Sequence, residues 1–105
     1  MEPANLLVIK SLDEGWCDKD IVMLHACFQL LEDVIEDEKL FEMTDWEQST
    51  EFRNARVELQ ALYDWWQIRK VRTSRDDFEV LDRSNYQKDT LQLIKLVELR
   101  HILWT

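Results

Sequence analysis

The sequence predicts an all-α domain, and three observations lead to it. The 105 residues hold one glycine and one proline, Gly15 and Pro3. Tight turns and hairpins draw on both residue types, so a β-rich fold is disfavoured. Leucine, glutamate and glutamine are frequent, and all three form helices well. Two long stretches also carry apolar residues at helical spacing. The length suits one domain, 1–105, with a single core and no staples. The expected architecture is a small bundle of about three main helices, near 18–43, 47–72 and 84–104, with a short N-terminal arm.

The arm comes first. Leu6-Leu7-Val8-Ile9 is an apolar run too short for periodicity to assign, and a short helix or packed arm from Asn5 to Leu12 is expected. A loop around Asp13-Glu14-Gly15 follows, with Trp16 anchoring its end. The start has neither the basic residues nor the small-residue cleavage site of a secretory leader, so none is expected. No run approaches the ~20 apolar residues of a membrane span.

The first long helix starts at Asp18 or Asp20, either of which can cap it. Ile21, Leu24, Phe28, Leu31 and Ile35 fall at i, i+3, i+7, i+10 and i+14, a stripe that Cys27 and Val34 broaden and Phe41 extends. Glu32, Asp33, Glu36, Asp37 and Glu38 are read as its outer face. Acids near a helix C-terminus oppose the dipole, which marks this cluster as a candidate binding face. Thr44-Asp45-Trp46-Glu47 breaks the pattern. Asp45 with Gln48 resembles a capping box, and Ser49 and Thr50 are alternative caps.

The second helix contains the most unusual stretch, Leu59 to Arg72, LQALYDWWQIRKVR. Phe52, Ala55, Leu59, Leu62, Trp66 and Arg69 form one stripe, so Trp66 is read as core. Trp65 lies about a hundred degrees round the helix from Trp66. With Arg69 and Arg72 it is read as the binding group. Beyond the helix, Thr73 to Asp77 is expected to be a loop, Phe78, Val80 and Leu81 a packed turn or brief helix, and Asp82 to Asn85 a break. The last segment, LQLIKLVELRHILWT, is apolar on more than one face. Such a helix is central in a bundle or meets another chain, most simply in a twofold homodimer.

The formal charge is −9, and it is unevenly spread. Residues 1–51 hold fourteen acids and three bases, whereas residues 52–105 hold eight acids and ten bases. An acidic chain does not bind nucleic acid non-specifically, so a nucleic-acid partner is not expected. Charge asymmetry of this kind suits either an acidic face presented to a basic partner or ordinary solubility, the more common reason for it.

The sequence offers little for catalysis. Cys17 and Cys27 have neither metal-type spacing nor a histidine in a nucleophile signature, and reduced thiols in a cytosol are expected. His25 and His101 read as surface or satisfied core residues. One glycine cannot build a phosphate loop. No cofactor, metal or catalytic residue is assigned.

Two resemblances bear on function. Asp33-x-x-Glu36 and Glu79-x-x-Asp82 are similar to the paired acidic motifs with which all-α nucleotide pyrophosphohydrolases hold magnesium against a nucleotide. The first pair here begins with aspartate and the gap between pairs is longer than in that family. The segments Leu30 to Glu38, Glu58 to Lys70 and Ile94 to Thr105 resemble a group of small uncharacterised tailed-bacteriophage proteins, which share an acidic helix, a Y-D-W-W element followed by bases, and a terminal L-W. That group has no activity to carry over. It implies a phage origin and expression inside a bacterial host, in its cytoplasm; small phage proteins of this size commonly bind a host protein, and by that association a host protein is the expected partner.

Three functions follow. The first is an interaction protein that binds, and inhibits or modulates, a host protein, with Trp65, Arg69, Arg72, Glu32, Asp33, Glu36 and Asp37 as the candidate contacts. A DNA-mimic inhibitor is a variant of it. The second is a nucleotide-type small-molecule binder or sponge, with Trp65 stacking a base and Arg69 and Arg72 holding phosphate. The third is the metal-dependent hydrolase.

Overall fold

A computed structural model describes residues 7–12, 19–75 and 83–103, without the side chains of residues 72–75 and 83–85. Among the described residues there are four helices and no strand: α1 (Lys19–Glu36), α2 (Leu40–Met43), α3 (Thr50–Arg75) and α4 (Arg83–Leu99). The fold is all-α, as the composition requires. None of these helices is long and apolar enough to cross a membrane.

The bundle is an up–down–up arrangement. Glu36 meets Tyr63 and Glu32 meets Gln67 and Lys70, so α3 runs antiparallel to α1. Arg69 meets Asp89 and Glu51 meets His101, so α4 turns back along α3. The core is where the two sequence stripes converge. Leu24, Phe28 and Leu31 of α1 face Ala55, Leu59, Leu62 and Trp66 of α3, and α4 adds Leu96, with Ile102 just beyond it. Trp66 is 0 % exposed; it stacks on Phe28 at 4.9 Å and meets the edge of His25 at 4.7 Å. The expectation that Trp66 is core agrees with this placement.

The element boundaries needed correction. The first helix does not run to residue 43. It ends at Glu36, and Lys39 takes a left-handed conformation, φ 57° and ψ 45°, before the single turn of α2. Left-handed backbone costs a residue with a Cβ about 1–2 kcal/mol. Continuing straight would send Phe41 past the end of the core. The reversal instead lays Leu40, Phe41 and Trp46 over the bundle's end, with Trp46 against Phe41 and Phe52. The Trp46 indole N–H donates to the Phe41 carbonyl at 3.1 Å, and Arg56 sits 5.1 Å from the centre of the Phe41 ring.

α3 starts at Thr50 and not near residue 47, and its cap is one of the two alternatives to the Asp45 box. Ser49 is its cap, with its Oγ accepting the Phe52 N–H at 3.2 Å. Asp45 and Gln48 bond within the preceding turn. Asp45 Oδ1 accepts from the Glu47 N–H, and Gln48 Nε2 donates to the Asp45 carbonyl. Thr73 to Arg75, expected as loop, continue α3. The last helix stops at Leu99, and residues 100–103 form tight turns closed by Ile102 N–H to Leu99 O at 2.9 Å. Residues 7–12 are an arm, not a helix. Gly15, Trp16, Cys17 and the segment Phe78 to Leu81 lie outside the described residues.

Candidate functional site

A cleft of about 410 Å³ opens between the arm, the C-terminal half of α1 and the C-terminal half of α3. Its α1 wall follows from helical spacing. Gln29, Glu32, Asp33 and Glu36 occupy adjacent turns on one flank of the Phe28 stripe, and Asp37 closes the end. The α3 wall is Tyr63, Gln67, Lys70 and Val71; the first three recur at i, i+4 and i+7. Lys10 and Ser11 of the arm form the third side.

The polar groups of this cleft are tied across elements. Gln29 is buried and bridges two of them: its Oε1 accepts the Lys10 backbone N–H at 3.0 Å and its Nε2 donates to Asp33 Oδ1 at 2.8 Å. Glu32, read from sequence as part of an outer face, points inward and is 6 % exposed. Its Oε1 accepts from Lys70 Nζ at 2.7 Å and from Gln67 Nε2 at 3.1 Å. The reason is its position four residues after Phe28, on the flank that meets α3. The Tyr63 hydroxyl donates to Glu36 Oε2 at 3.1 Å. Burial, the bond to Glu36 and the nearby charges of Glu36, Glu32 and Asp64 all raise the Tyr63 pKa, so the phenol stays a donor.

The lining carries four carboxylates, Glu32, Asp33, Glu36 and Asp37, against two cations, Lys10 and Lys70. One of those cations is held by Glu32. The last turn of α1 has no base, and its C-terminal carbonyls add negative potential to the same spot. The cleft is therefore an anionic recess of a size to take a side chain or a short segment.

The seven candidate residues divide. The four acids converge on the cleft. Trp65 and Arg69, one turn apart, lie on the other flank of α3. Trp65 is partly buried, with its ring 5.3 Å from that of Phe28. Arg69 donates from Nε and Nη2 to the two carboxylate oxygens of Asp89, each at 2.8 Å, and both side chains are less than 15 % exposed. Arg69, read from sequence as part of the binding group, is held by Asp89 of α4. The Arg72 side chain lies outside the described residues. Sequence reading missed Lys10, Ser11, Gln29, Tyr63, Gln67, Lys70 and Val71 as cleft residues. The signal for the α3 set was available, since Tyr63, Gln67 and Lys70 share a ridge beside Trp66.

Beneath the arm lies a buried histidine. His25 is fully buried, and Ser11 Oγ sits 2.6 Å from its Nδ1. His25 Nε2 and Trp66 Nε1 have no hydrogen-bond partner among the described residues. A serine against a histidine beside a cleft has the outline of a nucleophile and its base. Here the base is too weak, because burial first, and then the Arg69 charge, lower the His25 pKa to about 4, against an upward pull from Asp89. Among the described residues no carboxylate orients the second nitrogen. The pair anchors the arm to α1.

That anchoring sets a pH dependence. The folded-state pKa of His25 lies below its ordinary 6.5, so the unfolded chain binds the proton more readily. The stability linked to neutral His25 is complete above pH 6.5 and is lost as pH falls to about 4. The loss is expected to be about 3 kcal/mol. Urea titrations across that window should show a steeper fall for the wild type than for His25→Gln. Equal slopes would mean that His25 is not the group responsible.

Among the described residues no three of histidine, cysteine, aspartate and glutamate converge as a metal would need. Asp33 and Glu36 both line the cleft, but Glu79 and Asp82 lie outside the described residues. Cys27 is a free, partly buried thiol whose pKa burial raises.

No family model matches this chain, and no match was found among curated proteins or among solved structures. Its function must be argued from the site.

Proposed function

We propose that the chain is a protein-interaction module that takes a basic segment of a partner protein into the cleft between the arm, α1 and α3. The observation that carries this reading is the convergence of Glu32, Asp33, Glu36 and Asp37 on one recess at a helix C-terminus. Lys70 balances Glu32, but Asp33, Glu36 and Asp37 have no ion-pair partner among the described residues; they repel one another and oppose the dipole of α1. A lysine or arginine side chain relieves both penalties on entry. Arginine fits best, because its planar fork engages carboxylates two oxygens at a time and it is a frequent interface anchor. The resemblance to small phage proteins would make the partner a host protein and binding the means of inhibiting or modulating it.

The nucleotide reading rests on Trp65, Arg69 and Arg72, on the other flank of α3. The Nε and Nη2 donors of Arg69, which that reading needs for phosphate, are engaged by Asp89.

The test compares wild type with Asp33→Lys/Asp37→Lys, both confirmed helical by circular dichroism. A partner captured by the wild type from bacterial lysate, then purified, should bind the double variant at least about tenfold more weakly, or ~1.4 kcal/mol. Wild-type affinity should also fall as salt rises. A partner bound equally well by both proteins would place the binding surface elsewhere.

A further inference from the structure

The arm is the least secured wall of the cleft. None of its apolar residues, Leu7, Val8, Ile9 and Leu12, belongs to the core or to the hydrophobic residues packed on it. Among the described residues two contacts fasten it to α1. The Lys10 N–H donates to Gln29 Oε1 at 3.0 Å, and Ser11 Oγ lies 2.6 Å from His25 Nδ1. His25 is thereby shut in and 0 % exposed. Ser11 faces it from the arm, the Trp66 ring and the Arg69 guanidinium from α3, and the Asp89 carboxylate from α4.

We propose that Ser11, His25 and Gln29 form a proton-operated latch: a proton on His25 releases the arm and opens the cleft. That proton creates a second cation beside Arg69. Asp89 cannot answer both, since its two oxygens already take Arg69 Nε and Nη2 at 2.8 Å each. The charged ring also carries an N–H at Nε2, where no hydrogen-bond partner stands among the described residues. A buried cation with an unmet donor is costly. Helices α1, α3 and α4 cannot draw away from the ring without opening the core. The arm can, at the loss of two hydrogen bonds. Nδ1 faces it, so lifting Ser11 brings water to the imidazolium. Burial and then the Arg69 charge, against the pull of Asp89, hold the His25 pKa at about 4 beneath the arm, and release lets it return towards 6.5. Protons therefore favour the released arm. Release takes Lys10 and Ser11 out of the lining, so the recess loses its third side and one of its two cations. It then stands more open and more anionic to a basic segment. That consequence rests on the function proposed above; the latch does not, and its test needs no partner.

Hydrogen exchange of the Lys10 amide, followed by NMR and corrected for the intrinsic rate, tests the latch, because that N–H is one of the two anchors. Between about pH 8 and pH 5 its protection should fall about thirtyfold, the ratio set by a pKa of 6.5 released and about 4 held. Throughout, it should stay at least about tenfold below the protection of the Leu59 and Leu62 amides in the core, because the arm opens without the bundle. In His25→Gln, which keeps a neutral hydrogen-bonding side chain, the fall should disappear. Ser11→Ala spares the core and should lower Lys10 protection at neutral pH about fivefold, the loss of one hydrogen bond. Wild-type protection that is flat with pH overturns the proposal without either variant. So does a fall that persists in His25→Gln, a Ser11→Ala variant as protected as wild type, or a Lys10 amide that exchanges only together with the core.

Discussion

Truncating Trp66 to alanine is expected to cost about 3–5 kcal/mol, the range for removing a large aromatic from a packed core. A small domain has only about 5–15 kcal/mol in total, so the variant should be marginally folded. The side chain touches the core from both sides. It stacks on Phe28, abuts His25, and seals the level where α1 and α3 cross. The neighbouring ring is a natural control. Trp65 is only partly buried and packs on Phe28 from one side. Trp65→Ala should therefore cost less, about 1–2 kcal/mol. Thermal melts of the two variants check this, with Trp66→Ala expected to lose well over about 10 °C. Equal losses would show that the rings share one structural role.

Replacing Asp89 by alanine is expected to cost about 2–4 kcal/mol. The pair it forms with Arg69 is bidentate and nearly buried, and removing the carboxylate leaves the guanidinium charge in a poorly solvated place. The effect reaches His25 as well. The Asp89 charge raises the His25 pKa, so its loss pushes that pKa further down and extends the acid-sensitive range to lower pH. Arg69→Met/Asp89→Leu removes both charges together and should return to within about 1 kcal/mol of wild type, since a buried ion pair contributes little net stability over apolar side chains. Urea titrations of wild type, Asp89→Ala and the double variant decide it. A double variant as unstable as Asp89→Ala would mean that the pair's contribution is geometric and not electrostatic.

Both expected effects lie at the boundary between what the chain encodes locally and what folding adds. The helical content follows from composition, and the faces of α1 and α3 follow from their stripes. Periodicity is a property of neighbouring turns, so it places Leu24, Phe28, Leu59, Leu62 and Trp66 in the core without knowledge of the fold. It also places four acids within two turns at the end of α1, which was enough to mark the acidic wall of the candidate site.

Tertiary structure decided how the charged residues are used. Glu32 and Arg69 each sit on or beside an apolar stripe, where a helical wheel alone cannot say whether the charge is solvated or paired. Their partners, Lys70 and Asp89, lie 38 and 20 residues away along the chain, and only the antiparallel packing of α1, α3 and α4 brings them within 2.8 Å. The same holds for Ser11 against His25, which are 14 residues apart. The end of α1 is the opposite case. Its acids signalled a weak terminus, but the reversal through Lys39 depends on where Phe41 and Trp46 find the bundle's end. Local sequence determined which faces are apolar. Long-range packing determined which charges are buried in pairs, and so left the acids at the end of α1 gathered at one cleft.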